Sequence, residues 1–252
     1  IVLENSEVFK GFFDITTEDP NVISRLYSYT NGEESDALEE FIDLCEEKIG
    51  RKPHANEYFC VKCGSSSFLG RWDQDKIEKI NQAKELPEEF QRLGIAPKNR
   101  EQLYALNSLL DASIPLVTIS GLAGSGKTFI TLMSAYSLVQ SGYYSRIVIT
   151  RNVQPVGRDI GFLPGTADDK MSPWLAPIMD NFRVGLKDNN LSLFNSLKEQ
   201  GIIEVAPLSY IRGRTFNDSI LIMDEAQNAT IHELKTVITR MGENSKIILL
   251  GD

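Results

Sequence analysis

Gly121-Leu-Ala-Gly-Ser-Gly-Lys127-Thr128 is the segment on which the fold turns, because it matches G-x-x-x-x-G-K-[ST], the phosphate-binding loop. Ahead of it, Leu116-Val-Thr-Ile119 is a β-branched run that reads as a buried strand. Behind it, Thr128 to Val139 reads as a helix closed by Gly142. That context turns the pattern into a mechanism. Glycines let backbone amides turn inward around a polyphosphate, and a helix N-terminus adds about half a positive charge. Gly121, Leu122, Ala123, Gly124, Ser125 and Gly126 are therefore expected to line a nucleotide, with Lys127 reaching its β- and γ-phosphates and the Thr128 hydroxyl holding Mg²⁺. At average glycine usage the pattern arises by accident in roughly 1% of chains this long, so a plain glycine turn is the poorer explanation.

From Leu116 onward strands and helices alternate, the signature of an α/β fold with a parallel sheet covered on both faces. Arg146–Thr150, Ile202–Val205, Ser219–Met223 and Lys246–Leu250 read as strands. Trp174–Val184, Leu191–Gln200 and His232–Met241 read as helices. Residues 152–173 carry Pro155, Gly157, Gly161, Pro164, Gly165 and Pro173, and read as a long functional loop.

The strand Ile220-Leu-Ile-Met223 runs into Asp224-Glu225. Adjacent carboxylates at an apolar strand end need a cation or a reacting water nearby. Downstream of a phosphate loop they match a Walker B element, with Asp224 on Mg²⁺ and Glu225 as the base that deprotonates the attacking water; a helix cap is the bland alternative. Lys127 and Glu225 are thus the expected catalytic pair of an NTP hydrolase.

Arg151, Arg158 and Lys170 lie in or beside the 152–173 loop, near Phe162 and Trp174, and Tyr210-Ile-Arg212-Gly-Arg214 repeats the theme after the next strand. Bases interleaved with aromatic rings suit single-stranded nucleic acid. Arginines reaching a neighbouring subunit's γ-phosphate are the competing explanation.

Upstream, residues 1–73 read as a small β-rich mixed module. It has a strand at Val8–Ile15, a helix start at Asp19-Pro20, an amphipathic helix over 33–49 stopped by Gly50, and a hairpin around Cys63-Gly-Ser-Ser66. Residues 74–93 read as a charged helical connector, with Ile77, Ile80, Ala83 and Leu86 along one face, and residues 94–252 as the larger domain. That domain opens with a helix at Lys98–Asp111.

The 252 residues are 42% hydrophobic and 24% charged, ordinary for a globular chain with a proper core. No apolar run approaches the ~18 residues of a membrane span, so no membrane partner is expected. Three cysteines, an odd number, argue against a disulfide framework and for a reducing, cytoplasmic setting. Cys60-Val-Lys-Cys63 has metal or redox spacing, but no second such pair follows, and alternation fits a strand equally well. The net charge of −9 sits unevenly: residues 1–50 hold 13 acids and 3 bases, leaving 22 acids and 23 bases for residues 51–252. An acidic total therefore says nothing against RNA at the nucleotide domain.

Residues 94–252 resemble the PhoH family of ATPases, related to the nucleotide-binding half of superfamily 1 helicases. The resemblance rests on Gly121–Thr128, Thr150-Arg151 followed by Gly161-Phe-Leu-Pro-Gly165, Trp174-Leu-Ala-Pro177, Tyr210-Ile-Arg-Gly-Arg214, Asp224-Glu-Ala-Gln-Asn228, and Thr239-Arg240 followed by Gly251-Asp252. It implies a P-loop NTPase with a RecA-like sheet that uses ATP and Mg²⁺, acts on RNA as a remodeller or helicase, and forms a homo-oligomer such as a ring. It also implies that Gln102 reads adenine. A nucleotide-dependent switch or an AAA+-like remodeller acting on protein is the alternative. Thr166 stands where the family commonly has Asp. The N-terminal module resembles the linker of family members carrying an upstream PIN-type ribonuclease domain, and residues 1–50 lack that domain's spaced strand-end acids. Starting at Ile1 and stopping at Gly251-Asp252, the chain is expected to be a fragment truncated at its C-terminus.

Overall fold

The computed structural model describes residues 9–32, 36–80, 86–151 and 167–252, with only the backbone described over 167–174. The chain divides into two units, Ile1–Gln82 and Ala83–Asp252.

In the first unit, β1 (Phe12–Thr16) runs parallel to β2 (Glu57–Cys63), and β3 (Ser66–Asp73) and β4 (Lys76–Lys79) follow antiparallel, in the order β1-β2-β3-β4. Helix α1 (Pro20–Thr30) starts where Asp19 accepts the amide of Asn21, and α2 (Ala37–Ile49) stops at Gly50, whose φ of 72° suits glycine. Ile23 and Leu26 of α1 and Phe41 and Cys45 of α2 bury against Phe59, Val61, Phe68 and Trp72 of the sheet. Where the spacing predicts one helix over 74–93, Gln74 instead takes φ 55° and Ile77 pairs with Trp72 across a hairpin. Cross-strand packing overrides a helical period supported by few apolar residues. Among the described residues of that stretch, only α3 (Glu88–Arg92), in the second unit, keeps the helical expectation. Cys60 and Cys63 stand three residues apart on one strand and so point to opposite faces, and burial pushes the Cys45 thiol up to about 12.

Among the described residues, the second unit contains five parallel strands in the order β5-β9-β8-β6-β7: β5 (Leu116–Ser120), β6 (Arg146–Arg151), β7 (Ile203–Pro207), β8 (Ser219–Asp224) and β9 (Lys246–Gly251). Alternate residues feed two cores. Ile147, Ile149, Ile220 and Ile222 face one cluster, while Val148, Leu221 and Met223 face another, so near-continuous apolar runs are what these strands require. The first cluster takes α4 (Arg100–Leu110), α5 (Lys127–Gln140), α6 (Ala167–Gly185) and α7 (Ser192–Glu199); the second takes Val237 of α8 (Ile231–Ile238). This is the RecA-like α/β arrangement. β5 is not the buried strand that its residues suggest: it forms one edge of the described sheet, leaving Leu116 45% exposed. The loop expected over 152–173 ends sooner, because α6 already begins at Ala167. Burial of Ile178 and Phe182 prevails over the local punctuation of Pro173 and Pro177.

Candidate functional site

All five strands run the same way, so the chain leaves β5, β6, β8 and β9 along one edge of the sheet, where ligands bind in such folds. Register sets the spacing: Ser120 lies beside Gly251, and Arg151 beside Asp224. β9 lies between the loop-bearing strand and the acid-tipped one. The loop leaves β5, turns through Gly126 at φ 89°, and enters α5 at Lys127. A side chain at Gly126 would sit in left-handed backbone and approach Gln102 Nε2 to 3.3 Å.

A cleft of about 310 Å³ opens at this edge. Its walls bring together loop residues Ala123 to Thr128 with Asp224 and Glu225, and with Asn181 of α6. Gly121 and Leu122 stand outside the wall and act through their carbonyls, which accept from Lys127 Nζ, the second at 3.1 Å. The same ammonium donates to Asp252 Oδ1 at 2.7 Å. Gln102 also stands outside the wall. Its Nε2 donates to the Ser125 carbonyl at 3.0 Å and its Oε1 accepts the Lys98 amide at 2.8 Å, so it braces the loop.

Burial pushes the Asp224 carboxyl above its usual range, an effect that nearby Glu225 reinforces and the Arg151 and Lys127 cations only partly offset. Glu225 sits at φ 53°, an uncommon backbone state for a non-glycine residue and one that gathers at functional positions. Both of its oxygens are engaged: Arg151 Nη2 lies 3.2 Å from Oε1, and Gln227 Nε2 donates to Oε2 at 2.6 Å. Gln227 Oε1 in turn accepts the Asp252 amide at 3.3 Å. A continuous polar chain therefore runs Arg151–Glu225–Gln227–Asp252–Lys127.

A hydroxyl and a carboxylate, Thr128 and Asp224, share the cleft wall. That pair suits Mg²⁺, which binds through one or two protein oxygens plus substrate phosphates. Among the described residues no group of three or more His, Cys, Asp or Glu is placed to hold an ion unaided.

A second cavity of about 190 Å³ adjoins the first and shares Thr128, Asn181, Asp224 and Glu225 with it. Thr150, Arg151 and Pro207 line only the second. Among the other basic candidates, Arg212 is exposed beside Tyr210, itself 61% exposed. Arg214 is committed elsewhere: its guanidinium forks onto Glu204, with Nη2 2.8 Å from Oε2, and lies 4.7 Å over the Phe216 ring. The pairing holds the Glu204 carboxyl below its usual range. Arg158, Phe162 and Thr166, together with the Gly161–Gly165 block, lie outside the described residues, as do the side chains of Lys170 and Trp174. Asn181 gave no sequence signal. It follows Pro177 by four residues on α6, its Nδ2 donates to the Pro177 carbonyl at 2.7 Å, and it lines both cavities.

Comparison with known proteins agrees with this geometry. The family model described as PhoH-like protein matches residues 94–252. Protein PhoH2 of Bacillus subtilis is 38% identical over 270 aligned residues, covering 100% of this chain and 54% of its own length. A PhoH-like protein of Mycobacterium bovis is 40% identical over 159 residues, 63% of this chain and 44% of its own. Protein PhoH2 of Mycolicibacterium smegmatis is 35% identical over 192 residues, 75% of this chain and 42% of its own. The chain thus spans about half the length, or less, of these curated relatives. No helix among the described residues is long and apolar enough to cross a membrane. With the family match covering well over half of the chain and starting just ahead of the helix that braces the phosphate loop, this chain belongs to the PhoH family of P-loop NTPases.

Proposed function

We propose that this protein binds ATP with Mg²⁺ and hydrolyses it, and that RNA binding or remodelling is coupled to the turnover. One observation carries the reading: the phosphate loop and the acid-tipped strand meet in a single cleft, with Lys127, Thr128, Asp224 and Glu225 on its wall. Loop amides and the α5 N-terminus cradle the polyphosphate. Thr128 and Asp224 would hold Mg²⁺, which supplies charge neutralisation on the phosphoryl oxygens when bound. Lys127 trades a present partner for a phosphate oxygen and offsets charge on the transferring group. Glu225 accepts a proton from water as the water oxygen bonds to the γ-phosphorus. The bond from that phosphorus to the β–γ bridging oxygen breaks, and the electron pair leaves on ADP.

RNA coupling draws support from Arg151, which ends β6, and the Tyr210–Arg212 pair, which follows β7, both at the sheet edge that bears the cleft. Gln102 as an adenine reader stays part of the proposal, supported by its seat against the loop. Assembly into a homo-oligomer, a ring in the fullest version, draws support from α8, where Ile231 is 86% and Ile238 43% exposed seven residues apart on one face. The family members' greater length leaves room for an upstream PIN-type domain in the whole protein.

Glu225→Gln tests the core claim. Turnover should fall roughly 10²–10⁴-fold while ATP binding persists. A variant that hydrolyses at the wild-type rate removes Glu225 as base and favours a nucleotide-dependent switch. RNA coupling is discarded if single-stranded RNA shows no salt-dependent binding and leaves ATP turnover unchanged.

A further inference from the structure

Gln227 stands outside the walls of both cavities, yet its side chain touches the carboxylate assigned as the base. Its Nε2 donates to Glu225 Oε2 at 2.6 Å, while Arg151 Nη2 lies 3.2 Å from Oε1. Each carboxylate oxygen has two lone-pair sites, so one contact apiece orients the group and leaves it able to take a proton. The Gln227 amide is held at its other end as well, where Oε1 accepts the Asp252 amide at 3.3 Å. The two neighbours demand opposite chemistry: a donor toward the carboxylate and an acceptor toward the backbone N–H. Among side chains of this length a carboxamide supplies both. Glutamate would set carboxylate against carboxylate, and methionine has no N–H or O–H to give.

The end of β9 makes room for this bridge. A Cβ on Gly251 would stand 3.1 Å from Gln227 Oε1, tighter than an ordinary contact, so the bare glycine lets the amide lie across the strand end. That strand end is also tied to the phosphate loop. The Gly251 carbonyl accepts the Gly121 amide at 3.2 Å, and Asp252 Oδ1 meets Lys127 Nζ at 2.7 Å.

We infer that Gln227 is a positioning residue, which holds the Glu225 carboxylate toward the cleft from the strand end to which the phosphate loop is tied. The inference rests on the ATPase reading of the site. The Glu225 side chain is 33% exposed, and its contact with Arg151 joins two partly exposed groups, a weak restraint. Three staggered wells at each of χ1 and χ2 give a glutamate about nine orientations. Without the Gln227 tether the fraction of base in place falls, and kcat with it, by about three- to nine-fold. ATP is held by other groups, so its binding is untouched. Gln227 is itself exposed, so losing its amide costs the fold little.

The test measures kcat and KM for ATP, with Tm, on the full-length protein in wild type, Gln227→Met, Gln227→Glu, Glu225→Gln and the double variant Glu225→Gln/Gln227→Met. Gln227→Met is expected to lower kcat about three- to nine-fold while KM stays within about two-fold and Tm within about 2 °C. Gln227→Glu should lose at least as much, because its carboxylate repels the one it replaces a donor to. Glu225→Gln already lacks the base, so adding Gln227→Met should leave its residual rate within about two-fold. Wild-type kcat in either Gln227 variant overturns the inference. So does a loss of kcat that comes with a matching rise in KM or a lower Tm, and so does a further loss in the double variant, which would give Gln227 a role apart from Glu225. Active wild type beside inactive Glu225→Gln secures the ATPase reading, so failure in the Gln227 arms falls on the positioning role alone. A wild type without turnover removes both.

Discussion

Replacing Lys246 with methionine tests how the far end of the fold supports the site. Lys246 opens β9 and is fully buried, and its Nζ donates to the carbonyls of Ser108 at 3.0 Å, Asp111 at 2.7 Å and Ile114 at 2.8 Å. An ammonium has three donors, and three carbonyls meet them, two from the C-terminal end of α4 and one from Ile114 in the segment that leads to β5. The pin matters because the other end of α4 carries Gln102 against the phosphate loop, while β9 delivers Asp252 to Lys127. Hydrogen bonds to a charged group contribute about 1.5–3 kcal/mol each, or roughly 4.5–9 kcal/mol for three. Methionine has similar length and returns the several kcal/mol spent on desolvating an ammonium. The net loss expected for Lys246→Met is about 3 kcal/mol. For a unit of about 150–250 residues that lowers Tm by about 6–12 °C. Differential scanning calorimetry of the full chain, following the transition of the second unit, reads the effect. A drop of less than about 2 °C would mean the amine merely fills space, and would refute the reasoning.

Two further substitutions bear on separate parts of the molecule. Burial holds the Asp224 carboxyl above its ordinary value, so the native state binds that proton more tightly than the unfolded chain does, and stability falls as pH rises through this range. Asp224→Asn should therefore raise Tm near pH 8 without Mg²⁺ or nucleotide and leave it unchanged below about pH 4, while lowering ATP turnover by about 100-fold or more; equal destabilisation at both pH values would sink the assignment. In the N-terminal unit, a Cβ on Gly70 would stand 2.3 Å from Phe59 Cζ, a fully buried ring that pairs with Gly70 across β2 and β3. Gly70→Ala should cost that unit about 1–3 kcal/mol by urea unfolding, and a neutral result would mean the ring moves aside freely.

Much of the site was readable along the chain because its chemistry is local. A strand, a glycine turn and a helix start need only consecutive residues to place amides around a phosphate, so Gly121–Thr128 announced itself. So did Asp224-Glu225 at the end of an apolar strand. The amphipathic helix read over 33–49, found as α2, and the hairpin at Cys63–Ser66 were legible for the same reason. Signals resting on few apolar positions failed: Ile77 and Ile80 fit a helical face, yet Ile77 belongs to a strand facing Trp72. Pro173 looked like loop punctuation and lies within α6.

Residue order alone carried the vocabulary of the candidate site: a phosphate-loop pattern, an acid-tipped strand, and alternation enough to fold them as α/β. What it left open is who touches whom. Sheet order set β9 between the two motif strands and so joined Lys127 to Asp252 across 125 positions of sequence. The same packing drew Arg214 onto Glu204 and brought Arg151 onto Glu225. An arginine in sequence is only a cation with long reach. Its partner is whichever carboxylate the strand register and the burial of its neighbours bring within a few ångströms, and that is settled by contacts between distant segments, which no local pattern encodes.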